Sequence, residues 1–173
     1  MCAQEAYWQL ELDEVLLMPV REAPHRQVEQ DPGAEERFEL CRLAAEGADW
    51  LTASRIEVDR PGPSYTADTL EAMNGELFFI MGADQALQLA GWHEPERVLA
   101  AATLAVAERD GVPFSEAETA VKAVGDAHLR PFEMPRIDVS STEVRRRVAA
   151  GRPYRVLVPE RVGDRIERAG LYR

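Results

Sequence analysis

Apolar residues along this chain follow two alternating patterns, a helical spacing and short, almost continuous apolar runs. A spacing of three to four residues indicates an amphipathic helix, and a short run rich in β-branched and aromatic residues indicates a buried strand. We therefore predict helices over residues 2–12, 33–47, 63–75, 94–101 and 159–170. We predict strands over residues 13–20, 50–58, 76–81, 103–108 and 135–139.

Residues at the ends of the helical segments support these boundaries. The second predicted helix ends at Gly47 and the last at Gly170, and glycine is the residue that most often follows a helix. The third begins on hydroxyl-bearing caps and stops at Asn74-Gly75. Residues 110–128 have a weaker pattern, which we interpret as a peripheral helix with loops.

Continuous apolar strands that alternate with helices are typical of crossover units and of a parallel sheet buried on both faces. We therefore predict an α/β fold with a doubly wound, mostly parallel sheet and helices on both faces. The length of 173 residues and the hydrophobic content of 46% fit one domain with its own core. In such sheets ligands bind beyond the carboxyl ends of the strands, so residues that follow strands are the candidates for chemistry.

Composition excludes several classes of protein. The longest nearly continuous apolar run, residues 98–107, is far shorter than the ~20 residues of a membrane span, so we expect no membrane partner. The first residues have no secretory pattern, and Cys2 and Cys41 are too few and too scattered for a disulfide or zinc framework. We therefore expect a cytoplasmic protein.

The charge of the chain is unevenly distributed. A formal net charge of −11 argues against nucleic acid as a partner. From Glu143 to Arg173, however, nine arginines stand against four acidic residues. A basic last fifth on an acidic chain favours a small anionic ligand held locally, and a merely solvated basic face is an equally good interpretation.

The predicted strand ends carry residues that bind phosphates or stack on bases. Gly, Ser, Thr, His, Trp or Arg follow five of the strands, within residues 20–26, 59–66, 82–93, at Arg109 and within 140–145. Parallel strands end at the same edge of a sheet, so these segments are expected to converge on a common pocket.

The stretch IDVSSTEVRRRV, residues 137–148, predicts a helix that begins on a hydroxyl cap. Either Ser140 or Ser141 can cap the helix, with Val144 and Val148 facing the core. Arg146 then lies in water, whereas Arg145 or Arg147 can reach the helix start. A phosphate there would meet backbone donors, the positive end of the helix dipole and a guanidinium. An ordinary capped helix with solvated arginines explains the same pattern.

Two further residues have alternative interpretations. Trp92, between Gly91 and His93, fits either a core residue or an aromatic platform for a ligand ring. Gly82 allows close backbone approach, and Asp84 can accept a ribose hydroxyl or cap the next helix.

Taken in order, the segments PHR, RPGPSYTADTL, FFIMGAD, GWH, IDVSSTEVRRRV and YRVLVPERV resemble those of bacterial nicotinate mononucleotide adenylyltransferases. The resemblance covers essentially the whole chain. It implies a Rossmann-like fold, adenylyl transfer from ATP to nicotinate mononucleotide, and Mg²⁺ as the cofactor. It also implies one nucleotidyltransferase-type domain over residues 1–173 with a helical C-terminal part from about residue 140.

The resemblance also implies roles for individual residues. It assigns the ATP side to Gly82, Asp84, Ser140, Ser141, Thr142 and Arg145. It assigns the nicotinate mononucleotide side to His25, Arg26, Tyr65, Thr66, Trp92 and Arg109, with Trp92 stacked on the pyridine ring. Arg26 departs from the family pattern, in which this triplet commonly ends in lysine.

The front of the chain differs most from the family. The family begins with a strand, a glycine-rich turn and a His-x-Gly-His signature, whereas no two of His25, His93 and His128 are three residues apart. We therefore expect that the first central strand is missing from the sheet and that about 25 residues precede the family's equivalent of Met1. The catalytic histidines are accordingly not among the 173 residues.

Three functions follow as hypotheses. The first is adenylyl transfer to nicotinate mononucleotide, with small nucleotides as partners and a homo-oligomer left open. The second is an inactive nucleotide-binding or interaction protein, because the His-x-Gly-His signature is absent. The third is a sister adenylyltransferase with another phosphate acceptor, such as phosphopantetheine.

Overall fold

The computed structural model describes residues 1–24, 30–108 and 111–173. In chain order they form α1 (Cys2–Gln9), β1 (Val15–Leu17), α2 (Ala34–Ala45), β2 (Leu51–Ala53), α3 (Ile56–Asp59), α4 (Thr66–Glu71), β3 (Phe78–Gly82), α5 (Ala83–Ala86), α6 (Pro95–Ala101), β4 (Thr103–Ala107), α7 (Phe114–Lys122), β5 (Leu129–Phe132), α8 (Ser141–Ala149) and α9 (Glu160–Arg168). Single 3₁₀ turns lie at Leu89–Gly91 and Arg155–Leu157.

The chain divides into two compact units. Unit 1 contains Met1–Val15 and Tyr65–Arg136, and unit 2 contains Leu16–Ser64 and Ile137–Arg173. The paired strands of the described residues form two sheets, β1-β2 and β3-β4-β5. The predicted α/β class, with parallel strands flanked by helices, is confirmed. The assignment of all 173 residues to one domain stays a prediction.

Unit 1 is built around the parallel sheet β3-β4-β5. Strand β4 alternates strictly between the two faces: Leu104 and Val106 join a core with α4 to α7, and Ala105 and Ala107 face α1. All four are at most 1% exposed, which explains why the sequence reads as one apolar run there. Helix α1 is attached to the end of β5 because the Gln9 side-chain amide donates to the Glu133 carbonyl at 2.7 Å and accepts from the Glu133 N–H at 2.8 Å.

Unit 2 contains β2, the last two residues of β1 and a helical cluster. The Ser54 N–H donates to the Leu17 carbonyl at 2.9 Å beside β1 and β2. Val144 and Val148 of α8 pack with Val162 and Ile166 of α9. Helices α2 and α9 are joined by Arg165, whose guanidinium donates to both carboxylate oxygens of Glu36 at 2.6 Å. No helix in the described part of the chain is long and apolar enough to cross a membrane.

The strand predicted over residues 135–139 is wrong. The strand that pairs with β4 is β5, Leu129–Phe132, and residues 135–139 have no regular structure. Phe132 is buried against α1, whereas Ile137 and Val139 are 38% and 37% exposed. Burial of Phe132 beside β4 determines which residues pair with β4. The local sequence pattern does not reveal this burial.

The second half of the strand predicted over residues 50–58 is also wrong. Only Leu51–Ala53 is a strand, and Ile56–Asp59 forms one turn of helix. The turn buries Val58 at 2% exposure, and Arg55 and Asp59, four residues apart, pair across it at 2.8 Å. This ion pair fits helical spacing and not an extended strand.

Three smaller predictions need correction. Helix α4 begins after Tyr65 without a side-chain cap, because the Ser64 hydroxyl instead accepts from the Arg21 N–H at 2.9 Å. Helix α7 is not peripheral, since its Ala117 and Val121 are fully buried in the core of unit 1. The ends predicted at Gly47 and Gly170 fit the structure, where each glycine has a positive φ directly after the C-cap. The end predicted at Asn74-Gly75 is too late, because α4 ends at Glu71 with Ala72 as its C-cap.

Candidate functional site

The start of α8 in unit 2 is a capped and exposed helix end. Ser140 is the N-cap, and its Oγ accepts from the Glu143 N–H at 3.2 Å. Of the two serines that could cap, the structure therefore selects Ser140. Ser140, Ser141 and Thr142 are all exposed. Among the described residues, the N–H groups of Ser141 and Thr142 have no backbone partner, so they remain available to a ligand.

The three arginines of α8 point in different directions. Arg146 is 67% exposed, as expected, and pairs with Glu143. Arg147 also pairs with Glu143, at 2.7 Å, and donates to the Pro153 carbonyl at 3.0 Å. Arg145 instead lies by the helix start, where its Nη2 donates to Thr142 Oγ1 at 3.3 Å. Within the described residues, Arg145 is the arginine of these three that forms no ion pair.

Electrostatics at this helix start leave Arg145 as the available cation. Hydrogen bonds from Arg147 and Arg146 lower the pKa of Glu143. These two arginines of the same helix therefore neutralise the negative charge of Glu143. Burial acts to raise the pKa of Asp31, but a hydrogen bond from the Gly33 N–H, then Arg37 and finally Arg145 bring it below its ordinary value. The field of Arg145 thus already acts on one anionic group within unit 2.

In unit 1, Gly82 and Asp84 lie at the junction of β3 and α5. Gly82 is the N-cap with an ordinary extended backbone, φ −80° and ψ 154°. Asp84 lies inside the first turn and does not cap the helix, which excludes that alternative. Its carboxylate has no hydrogen bond or ion pair to any other described residue. The predicted role as acceptor for a ribose hydroxyl therefore remains open.

Trp92 follows the 3₁₀ turn that leads out of this junction. It is half-buried, and its ring meets Phe79 of β3 edge to face, with centroids 5.8 Å apart at 88°. Its backbone N–H donates to the Leu89 carbonyl at 2.9 Å. The ring therefore packs against the core of unit 1, and because it is only partly covered, stacking with a ligand stays a prediction.

Tyr65 and Thr66 form the start of α4, where Tyr65 is the N-cap and Thr66 the first helical residue. The Tyr65 ring stacks on His93, with centroids 4.0 Å apart and planes tilted by 31°. Unit 1 therefore brings the segments of Tyr65-Thr66 and Trp92 together through His93. Sequence reasoning gave His93 no role, although its place directly after Trp92 was a signal.

A charged cluster adjoins this aromatic pair. His93 Nε2 lies 3.1 Å from Glu94 Oε2, and Glu94 also pairs with Arg97. Arg97 Nε donates to Glu71 Oε1 at 2.8 Å, and its Nη2 donates to Asp68 Oδ1 at 3.1 Å. Sequence reasoning missed Arg97, because its carboxylate partners on α4 are distant along the chain.

The remaining predicted site residues are His25, Arg26 and Arg109, and they lie outside the described residues. No cluster of three or more His, Cys, Asp or Glu side chains that could hold a metal occurs in the described ranges. A cavity of about 850 Å³ in unit 2 contains none of the predicted site residues that the structure describes. Its lining includes Val148, Arg152, Tyr154, Arg155 and Glu167.

Comparison with known proteins assigns the chain to a family. The sequence profile described as cytidylyltransferase-like matches residues 2–147. This chain belongs to the cytidylyltransferase-like family. The match extends from the first helix through the Ser140–Arg145 helix start, so it includes every segment in which site residues were predicted.

Two curated relatives of this chain carry the same name. A probable nicotinate-nucleotide adenylyltransferase of Thermus thermophilus is 42% identical over 178 aligned residues, which cover 100% of this chain and 90% of the relative. A protein with the same name from Roseiflexus castenholzii is 37% identical, covering 99% of this chain and 88% of the relative. The predicted resemblance to this group is confirmed.

Solved structures support the fold. The Plasmodium falciparum nicotinic acid mononucleotide adenylyltransferase complexed with APC superposes with a TM-score of 0.77, covering 99% of this chain and 88% of that one. The same protein complexed with NaAD gives 0.76. At 15% sequence identity, these likenesses establish the Rossmann-like nucleotidyltransferase fold.

Proposed function

We propose that this chain is a nicotinate-nucleotide adenylyltransferase that transfers AMP from ATP to nicotinate mononucleotide, giving deamido-NAD and pyrophosphate. The observation that carries the proposal is the identity of 42% to a relative of that name over the full chain. The exposed, capped start of α8, with Arg145 beside it, supplies the phosphate-binding chemistry that such a reaction needs.

The α8 start would hold the triphosphate of ATP. The N–H groups of Ser141 and Thr142, the hydroxyls of Ser140 to Thr142 and the guanidinium of Arg145 are the donors. Phosphoryl and nucleotidyl transfer depend on in-line positioning and on neutralising charge as the leaving group departs. Arg145 suits that task because Glu143 is occupied by Arg146 and Arg147.

The junction after β3 would hold the adenosine, with Gly82 giving room for the backbone and Asp84 accepting a ribose hydroxyl. The acceptor side is assigned to Tyr65, Thr66 and Trp92, with Trp92 stacked on the pyridine ring. His25, Arg26 and Arg109 remain proposed on the resemblance alone.

Mg²⁺ is proposed as an ion that arrives bound to the triphosphate, the usual mode for nucleotide substrates. The described side chains offer no metal-ligating cluster of their own, so no step is assigned to the ion. Action as a single domain in the cytoplasm, and assembly into a homo-oligomer, also remain predictions.

The test is pyrophosphate release from ATP at millimolar substrates. The 173-residue chain is compared with the same chain carrying, ahead of Met1, a strand and turn with the His-x-Gly-His signature. We expect the extended chain to release pyrophosphate with nicotinate mononucleotide and not with phosphopantetheine. Release with phosphopantetheine alone would favour the sister activity. ATP binding by both chains without release would favour the inactive nucleotide-binding protein.

A further inference from the structure

The two segments proposed to bind the acceptor are distant in sequence and meet through side chains in unit 1. Tyr65 and Thr66 open α4, whereas Trp92 and His93 lie between the 3₁₀ turn and α6. Ring stacking between Tyr65 and His93, with centroids 4.0 Å apart, is a weak interaction that tolerates lateral displacement of one ring over the other. It does not by itself fix the distance between the two segments.

Arg97 supplies a directional connection between the same two segments. It lies in the first turn of α6, and its guanidinium reaches Glu71 and Asp68 of α4 on one side and Glu94 on the other. These hydrogen bonds use the planar fork of the guanidinium, which fixes orientation as well as distance. The carboxylate of Glu94 also lies 3.1 Å from His93 Nε2.

Glu94 has a backbone conformation that needs such support. Its φ is 47° and its ψ 57°, in the left-handed region that a residue with a side chain rarely adopts. The following Pro95 also disfavours the right-handed helical conformation at this position. Strained residues of this kind persist where their surroundings hold them, and here the Glu94 carboxylate is held by Arg97.

Exposed ion pairs contribute little to stability, so this cluster needs another explanation. The Arg97 side chain is 35% exposed and each of its three carboxylate partners is 40–48% exposed. Hydrogen bonds that Arg97 donates to Glu71 and Glu94 raise its pKa, which keeps it charged throughout the physiological range. What the cluster does provide is a fixed placement of His93 and Trp92 relative to the start of α4.

We propose that Arg97 is a positioning residue for the acceptor substrate, which sets the Trp92–His93 loop against Tyr65 and Thr66 through Glu94, Asp68 and Glu71. The inference rests on the proposed function, because it assumes that these segments bind nicotinate mononucleotide. It predicts that loss of Arg97 weakens acceptor binding and leaves ATP binding unchanged.

The experiment is calorimetric titration of nicotinate mononucleotide and of ATP into the full chain and its variants. Arg97→Gln is expected to raise the Kd for nicotinate mononucleotide about tenfold, since a misplaced contact of about 1 Å costs that much or more. Arg97→Lys, which keeps the charge and loses the fork, is expected to recover part of that affinity. The Kd for ATP should change less than about twofold.

The matched control is Arg42→Gln. Arg42 is a similarly exposed arginine with two carboxylate partners, Glu39 and Glu46, but these lie within or directly after its own helix α2. Its loss should leave both Kd values unchanged. An equal effect of the two variants would mean that Arg97 acts through general charge or stability, which overturns the proposal.

A second variant separates positioning from folding. Glu94→Gly suits the left-handed backbone and should not lower the Tm, yet it removes the carboxylate that connects the Trp92–His93 loop to Arg97. We expect weaker acceptor binding at an unchanged or higher Tm. If the unaltered chain binds nicotinate mononucleotide and both Arg97→Gln and Glu94→Gly bind it equally well, the positioning role is wrong. If neither the unaltered chain nor the chain extended with the His-x-Gly-His segment binds it, the proposed function fails first.

Discussion

The segments of unit 1 that we propose to bind the acceptor and the helix start of α8 in unit 2 are supported in different ways. Trp92 rests on a core whose members Leu89, Val98 and Leu104 are fully buried, and side chains connect its loop to α4. The Ser140 helix start is exposed and depends on Val144 and Val148, at 7% and 8% exposure. An aromatic ring of a ligand binds to a surface that is already formed in the free protein. A phosphate instead replaces water on hydrogen-bond donors, and these donors must face solvent.

The largest expected effect tests the difference in support. Leu104→Ala should lower the free energy of unfolding by about 2–5 kcal/mol, because it opens a cavity in the centre of β4. Val144→Ala should cost less, since the side chain is smaller and its site is partly open. Urea unfolding at one temperature measures both. Equal losses would mean that the two regions are equally well supported.

The next effect tests which side chain the helix start offers to phosphate. Arg145→Gln should raise the Kd for ATP about tenfold or more, because a charge-assisted hydrogen bond contributes about 1.5–3 kcal/mol. Arg146→Gln removes the same charge from the same helix, but this arginine is 67% exposed and already pairs with Glu143. Calorimetric titration with ATP should show less than a twofold change for it. A similar loss of ATP affinity in both variants would mean that the helix start binds ATP only as a general basic surface.

The smallest effect is a pH dependence at the same helix. The pKa of Glu143 is lowered in the folded chain by Arg147 and Arg146, so the unfolded chain takes up its proton first as pH falls. The stabilisation is present above the ordinary glutamate pKa of about 4.3 and is lost as pH drops through the lowered value. Urea midpoints between pH 7 and pH 3 should fall less steeply for Glu143→Gln than for the unaltered chain. Parallel curves of urea midpoint against pH for the two chains would contradict the proposed contribution of Glu143.

Where burial follows the local pattern, the sequence was sufficient. The apolar runs of β3 and β4, the stripe of Val144 and Val148, and a hydroxyl cap at Ser140 or Ser141 all follow from residues adjacent in the chain or one helical turn apart. These features depend on local spacing and on elementary capping chemistry, which a single sequence displays.

Where a structural feature depends on a contact with a residue distant in the sequence, the local pattern was not sufficient to predict it. The apolar pattern of Ile137 and Val139 predicted a strand there, but the strand beside β4 contains Phe132 instead. Phe132 is buried in that position because it packs against α1. The role of Arg97 depends on Glu71, which lies on a different helix. Local spacing does not reveal contacts between elements that are far apart in the chain.

The attachment of α1 beside β5 has a consequence for the behaviour of the protein at high concentration. Strand β5 ends the order of its sheet, and an end strand offers its backbone to any other chain that approaches. Pro131 has no N–H to give, and Gln9 occupies both backbone groups of Glu133 just beyond the strand. This edge is therefore poorly suited to recruiting a strand from a neighbouring molecule, which protects the protein from aggregation by sheet extension.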